Sequence, residues 1–285
     1  MNRGFLRWVV LYALVLVATL YIITPFVWVV SVSLKHEREA TQRHWIPHEP
    51  TLKNYALYFQ AQSRSAEIGA ATARQFPRAI ANSLIIGTAV MVINLFFGSL
   101  AAYALARVHF NGSLVLLLFY LGSRSVPGVA IMIPMYLVIR SYGLLDTHLA
   151  VILAHSTFTL PFSIWILKGY FQTVPLDLER AARTDGCTRL GALFRVFLPV
   201  TTPGMIAVGI FSFIASWGEF LFALLFTSTI YAKPVTVLAS DFAQELQIPF
   251  TIVAAGGVLV VLLPVVLAFI FQRFIIHGIG GAVTG

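Results

Sequence analysis

Three ionisable side chains, Arg124, His155 and Glu219, stand inside long apolar stretches, and Trp217 lies two residues before the last of them. An ionisable group at bilayer depth costs at least about 2.5 to 3.5 kcal/mol on insertion scales, so each must face protein or water. Arg124 can donate to a hydroxyl or to an anionic group, and Trp217 can stack on the face of a solute ring. Asn82, Ser83 and Thr157 are further polar candidates for one path across the bilayer. The opposing reading is structural: Arg124 and Glu219 pair with each other, or with Asn94 and Ser216, and hold helices together. His155 reads as an interhelical hydrogen-bonding residue, because no His or carboxylate sits at ligand spacing around it. No Asp/Asp or Ser/His pair at compatible depths is evident for covalent catalysis. No Gly-rich loop ending in Lys and Ser or Thr is present to cradle a phosphate. The sequence therefore assigns no catalytic and no metal-binding residue, and a nucleotide would have to bind elsewhere.

The elements that must position these groups follow from composition. Of 285 residues, 59% are hydrophobic and 11% charged, and the mean hydropathy is +0.86. Such a chain cannot cover a globular surface with polar groups, which excludes a soluble enzyme. It can instead form about six bilayer-spanning helices. Apolar runs cover Trp8 to Leu34, Ala79 to Ala106, Leu114 to Ile139, Leu149 to Phe171, Met205 to Thr229 and Ile252 to Ile276. With no water in hydrocarbon to satisfy a bare backbone, each must be helical, so the fold class is all-α and integral to the membrane. Kinks are expected at Pro25, Pro127, Pro134, Pro161 and Pro264. The first run is too long for a signal-peptide core and reads as a retained span. Residues 35–77 are polar and form an extramembrane loop, with a short helix expected near Asn54 to Gln60. The whole chain, 1–285, reads as one transmembrane domain.

The net charge of +8 comes from basic residues scattered between the apolar runs, with no stripe that would suit nucleic acid. These are loop charges at membrane surfaces. They divide evenly between the two sides; with the long first loop set aside, the side carrying the termini is favoured as cytoplasmic by nine to two. The single Cys187 excludes an internal disulfide.

Between the fourth and fifth runs, residues 172–200 include Val174-Pro-Leu-Asp-Leu-Glu-Arg-Ala-Ala-Arg-Thr-Asp-Gly and Leu198-Pro199. Local chemistry predicts two short helices. Asp177 caps the first and Gly186 ends it; Thr188 caps the second and Pro199 stops it. Leu178, Ala181 and Ala182 share a face at three-to-four spacing, ringed by Arg180, Arg183 and Asp185. That pattern suits a docking knob whose small residues permit close approach, or an amphipathic helix lying on anionic lipid.

At these residues the chain resembles the transmembrane subunits of binding-protein-dependent ABC importers. The family signature is Glu-Ala-Ala, three residues, Gly, nine residues, Ile, one residue, Leu-Pro. Ala181, Ala182, Gly186, Val196, Leu198 and Pro199 keep its spacing; Arg180 takes the Glu position, with Glu179 one residue earlier. Further stretches resemble the carbohydrate permeases of the maltose-type inner-subunit class. These are Asn82-Ser-Leu-Ile-Ile-Gly, Ala101-Ala-Tyr-Ala-Leu-Ala-Arg, Arg124-Ser-Val-Pro, Ile133-Pro-Met-Tyr, Tyr142-Gly-Leu-Leu-Asp-Thr, Trp217-Gly-Glu-Phe and the Gly-rich tail from Gly278 to Gly285.

The resemblance implies a type I ABC importer permease, non-enzymatic itself, forming half of a path for a sugar or oligosaccharide. Its loop would be a cytoplasmic coupling helix seated on an ATPase, through Glu179, Arg180, Ala181, Ala182, Asp185, Gly186, Leu198 and Pro199. Arg124 would then meet sugar hydroxyls and Trp217 a sugar face. The implied partners are a second permease subunit, two ATPases that bind ATP and Mg, an extracytoplasmic solute-binding protein, the sugar and membrane lipid, with no cofactor in this chain. The implied site is the prokaryotic inner membrane, multi-pass, with both termini cytoplasmic and the tail extended against the ATPases. Two rival readings are an anionic solute, such as a glycerol phosphate or acidic oligosaccharide, and an ion-coupled secondary transporter using Arg124, Glu219 and His155 as a relay.

Overall fold

A computed structural model of the protein describes residues 3–59, 70–244 and 249–283, and all regular structure among them is helical. The order begins with α1 (Arg3–Ser33), α2 (Glu37–Ala40), α3 (Lys53–Phe59), α4 (Ala70–Ala73) and α5 (Phe76–Arg107). It continues with α6 (Ser113–Ser123), α7 (Gly128–Ser141), α8 (His148–Thr173), α9 (Leu176–Thr184) and α10 (Arg189–Ala192). A π-helical segment, Leu193–Phe197, leads into α11 (Leu198–Val200), then α12 (Thr202–Trp217), α13 (Leu221–Phe226), α14 (Val235–Gln244) and α15 (Phe250–Val283).

Four of these helices are long and apolar enough to cross a bilayer: Arg7–Ser33, Phe76–Arg107, His148–Thr173 and Phe250–Phe274. They coincide with four of the expected runs. The other two spans are broken: α6 and α7 meet at 96°, and the α10–α11 stretch meets α12 at 84°, giving six spans if each bent pair counts as one. The third run is thus two helices. Pro127 lacks an N–H and disfavours helical backbone at Val126, and the chain is extended at Pro127, with a ψ of 130°, before α7 restarts. The fifth run also breaks, at Gly218 to Phe220, before the short α13. By contrast, Pro25, Pro134, Pro161 and Pro264 lie inside unbroken helices. The tail expected to be extended is helical as far as Val283, and residues 284–285 lie outside the described ones.

The chain divides into two compact units. The first comprises Met1–Pro77 and Leu238–Leu262. Here the polar loop after α1 is an ordered clasp. Asn54 Nδ2 donates to the Ser33 and Lys35 carbonyls, at 2.8 and 2.9 Å. The fully buried Lys35 ammonium donates to the His44 carbonyl and lies over the Trp28 ring. At the start of α15, Thr251 Oγ1 donates to Glu37 Oε2 at 2.8 Å, and Tyr58 donates to the Ile252 carbonyl at 2.7 Å.

The second unit comprises Arg78–Val237 and Leu263–Gly285. Its centre is α8, whose apolar window is 61% buried, whereas that of α1 is wholly exposed. Helix α8 packs closely on α12, and a buried polar ladder joins both to α5. Asn94 Nδ2 donates to Thr159 Oγ1 at 2.6 Å and to Ser212 Oγ at 3.0 Å, and Ser212 Oγ lies 3.2 Å from Ser163 Oγ. After α7, Asp146 accepts from the Ser228 and Thr229 amides, each at 2.9 Å, and from Thr229 Oγ1 at 2.6 Å. Burial raises the pKa of this carboxyl, but the bonds from Thr229 and Ser228 outweigh it and hold the group below the usual carboxylate range.

Close helix approach makes one glycine indispensable. A Cβ at Gly204 would fall 2.5 Å from Cγ of Tyr170, an atom too near its own backbone to swing away. Gly257 has nothing within 4 Å of the same position. Gly204→Ala is therefore expected to destabilise the detergent-solubilised protein by about 1–3 kcal/mol, and Gly257→Ala to leave its thermal unfolding unchanged. Equal transitions for the two variants would contradict this packing.

Candidate functional site

Helix α9 has two unlike faces. Inward, Ala182 is buried and Glu179 is largely covered. Tyr103 near the end of α5 donates its hydroxyl to Glu179 Oε1 at 2.8 Å, and Arg107 Nε lies 3.9 Å from Glu179 Oε2. The Arg107 guanidinium also donates to the Phe171 carbonyl at 2.5 Å and to the Val174 carbonyl, and it sits 4.8 Å above the Phe197 ring. One side chain thus ties together the end of α5, the end of α8, helix α9 and the π segment. Its cation meets the free carbonyls at a helix C-terminus, where positive charge is favoured.

Outward, Asp177, Leu178, Arg180, Ala181, Asp185 and Gly186 are exposed. Ala181 is thus exposed while Ala182 is buried, and the two do not form one small-residue docking face. Asp177 does not cap α9, which starts from Pro175; its carboxylate instead accepts from Arg180 at 3.2 Å. Gly186 has a φ of +89°, the left-handed end expected of it, and Thr188 Oγ1 accepts from the Gly191 amide at 3.0 Å as a cap. Pro199, exposed, does not stop the second helix, which bends only after Val200. The proline ring crowds the carbonyl four residues back, and the chain relieves it by the wider π winding just before α11. Leu198 packs against the core cluster around Phe197.

A second site lies where α6 gives way to α7 and α12 to α13. Arg124, His155 and Glu219 line one cavity of about 330 Å3, together with Phe158, Thr159 and Phe222. Glu219 is a cap as well as a charge: it accepts from the Phe222 and Ala223 amides at 3.0 and 3.3 Å, which starts α13. His155 Nε2 donates to Glu219 Oε2 at 2.7 Å, and His155 Nδ1 is 2.7 Å from Ser216 Oγ. Arg124 instead lies 4.9 Å from the Phe162 ring, and no ion pair joins it to Glu219 among the described residues. The Ser216–His155 pair escaped the sequence reading. It is no nucleophile site, because Ser216 is buried and does not line the cavity.

The other path candidates are placed elsewhere. Trp217 is 3% exposed and stacks on Phe213, so its ring faces the core and not a solute. Asn82 Nδ2 donates to the Ile230 and Lys233 carbonyls, both at 2.9 Å, and Ser83 Oγ accepts from the Val235 amide at 2.9 Å. Both pin the segment before α14 to α5. Thr157 is exposed and donates to its own helix at Leu153. Among the described residues no group of His, Cys, Asp and Glu gathers to hold a metal ion.

Residues 94–280 match the profile of the binding-protein-dependent transport system inner membrane component family. The chain belongs to that family. It is 34% identical to the trehalose transport system permease protein SugB of Mycobacterium tuberculosis, over 93% of each chain. It is 32% identical to the trehalose/maltose transport system permease protein MalG of Thermococcus litoralis, over 92% of this chain and 91% of the relative. To the sulfoquinovosyl glycerol transport system permease protein SmoH of Agrobacterium fabrum it is also 32% identical, over 90% and 86%. Its fold is that of a chain from a bacterial ABC transporter involved in import of the acidic polysaccharide alginate, with a TM-score of 0.79 at 20% identity, covering 96% of this chain and 98% of the other.

In this inner membrane component the acidic side chain at position 179 of the loop turns inward, and Arg180 looks out. The signal for that was the Tyr103 and Arg107 pair, which lies too far away in sequence to be linked to the loop without the structure. A buried hydrogen bond to a charged group contributes about 1.5–3 kcal/mol. A double-mutant cycle of Tyr103→Phe and Glu179→Gln, read by thermal unfolding in detergent, should show coupling of that order. Arg180→Ala, whose side chain is 75% exposed, should shift stability by less than about 0.5 kcal/mol. Additive effects of the first pair would refute the tie.

Proposed function

We propose that this chain, acting as one transmembrane domain, forms half of the translocation path of an ATP-driven importer for a sugar or oligosaccharide. Its partners are a second, dissimilar permease subunit, two ATPases that hold ATP and Mg, and an extracytoplasmic solute-binding protein. The chain lies in a prokaryotic inner membrane with both termini cytoplasmic, and it carries out no covalent chemistry. Family membership supports the dependence on a binding protein, and the solutes printed in the names of its relatives support the sugar.

The observation that carries the mechanism is the two-faced helix α9. Its outer face is exposed and presents Ala181 between Asp177 and Asp185, while its inner face is locked to α5 and α8 through Glu179 and Arg107. An ATPase closing on the outer face would therefore move the ends of two spans as one body, and its two states would select two states of the path. Left-handed backbone at Gly186 sets the exit from this helix, and a side chain with Cβ there is strained by about 1–2 kcal/mol. Gly186→Val and Ala182→Asp should leave the chain inserted but reduce solute-stimulated ATP turnover of the assembled importer at least about tenfold. Ala181→Glu, at an exposed position, should keep the folded chain and lose co-purification of the ATPases. Wild-type turnover in all three variants would refute the coupling role.

The cavity supports a second reading of the solute. Arg124 lines it, with Glu219 turned to His155, and is in no ion pair among the described residues, a disposition that leaves its donors open to an anionic group, and the structural neighbour is described as importing an acidic polysaccharide. If the solute is anionic, Arg124→Gln should abolish uptake of the acidic ligand while any neutral sugar carried by the same system is spared. Equal loss of both would favour the neutral reading, with Arg124 donating to hydroxyls.

A further inference from the structure

Where α5 ends, the chain turns through residues 108–112 into α6, and beside this turn lies a cavity of about 480 Å3. Its position relative to the bilayer follows from the helices that bound it. The apolar span of α5 ends at Arg107, that of α8 ends at Thr173, and the first broken span begins at Ser113. The cavity is therefore at the level where hydrocarbon gives way to water, on the side of helix α9.

Its walls are amphipathic. Lys168 and Gln172 contribute from α8, His109 and Asn111 from the turn, and Leu114 and Leu117 from α6. No acidic residue lines it. Lys168, a half-buried cation, has no acidic partner among the described residues, in contrast to the neighbouring Arg107, whose guanidinium meets two carbonyls, Glu179 and a ring. A cation and amide donors above an apolar wall, at interfacial depth, match a phosphate ester attached to acyl chains.

We propose that this cavity holds the headgroup of an anionic phospholipid. The phosphate meets Lys168, with Gln172 and Asn111 as further donors, and the first methylenes run along Leu114 and Leu117. A lipid bound there sits against the turn that follows Arg107, and so buttresses the junction to which helix α9 is tied.

The test uses the assembled importer in nanodiscs containing phosphatidylglycerol and phosphatidylcholine, with retained lipid counted by native mass spectrometry. Phosphatidylglycerol should be retained in preference. Lys168→Gln should weaken that retention about fivefold, the factor expected for removing one interfacial lysine, and Lys168→Arg should restore it. Arg140→Gln, outside the cavity, should leave it unchanged. Equal retention of the two lipids, or no effect of Lys168→Gln, overturns the proposal. Displacement of the lipid signal by millimolar soluble glycerol phosphate would mark a free-phosphate site and overturn the lipid assignment. Protection of an Asn111→Cys thiol that persists after delipidation would put a neighbouring protein there and overturn it as well.

Discussion

A polypeptide backbone in hydrocarbon has no water to bond, so every interruption of a spanning helix must be satisfied from within the protein. This constraint explains where the chemistry of this chain sits. Beside the two bent pairs, the chain is interrupted again between α12 and α13, and this break is closed by Glu219, whose carboxylate accepts from two orphan amides and from one imidazole N–H. At the break before α7 Pro127 supplies no N–H that would need a partner, and Arg124 beside it reaches the Phe162 ring. The same cavity receives both ends, so the polar groups at the two breaks share one lining.

The loop after α8 solves a different problem by similar means. A short helix of nine residues is not stable by itself in water, and it holds its place only through tertiary contacts. Arg107 supplies these by serving four partners at once, a geometry open to a planar, forked guanidinium and closed to an ammonium. Because Tyr103 and Arg107 are one turn apart on α5, both reach Glu179 from the same face. Helix α9 is thus joined to the ends of α5 and α8 by side chains that make direct contact.

Much of this was legible in the sequence, for reasons that also mark its limits. The four unbroken spans showed themselves as apolar runs, because hydropathy reports burial in lipid directly. Gly186 and Thr188 were legible because a helix end is governed by chemistry within a few residues. The breaks were legible only in part: Pro127 marked a bend, but residues 124–127 and Gly218 to Phe220 are too short to end an apolar run. The orientation of α9 was hidden too: helical spacing groups Ala181 with Ala182, and only contacts with Tyr103 and Arg107, more than seventy residues earlier, decide that Ala182 turns in. Asn82, Ser83 and Trp217 attracted notice as polar or aromatic groups near the membrane. Pairing with the backbone before α14 and with Phe213 explains them without a solute.

The π segment before α11 has a geometric consequence. Winding five residues where four would serve inserts a phase step of about 100° between the stretch that follows the docking helix and the residues after it. Phe197 can then point at Arg107 while α12, beyond the bend, turns Ser212 toward Asn94. Slipping that turn back to ordinary α winding would rotate everything downstream like a ratchet advanced by a single tooth. The chain thus carries, a few residues beyond α9, one discrete rotational step in its winding.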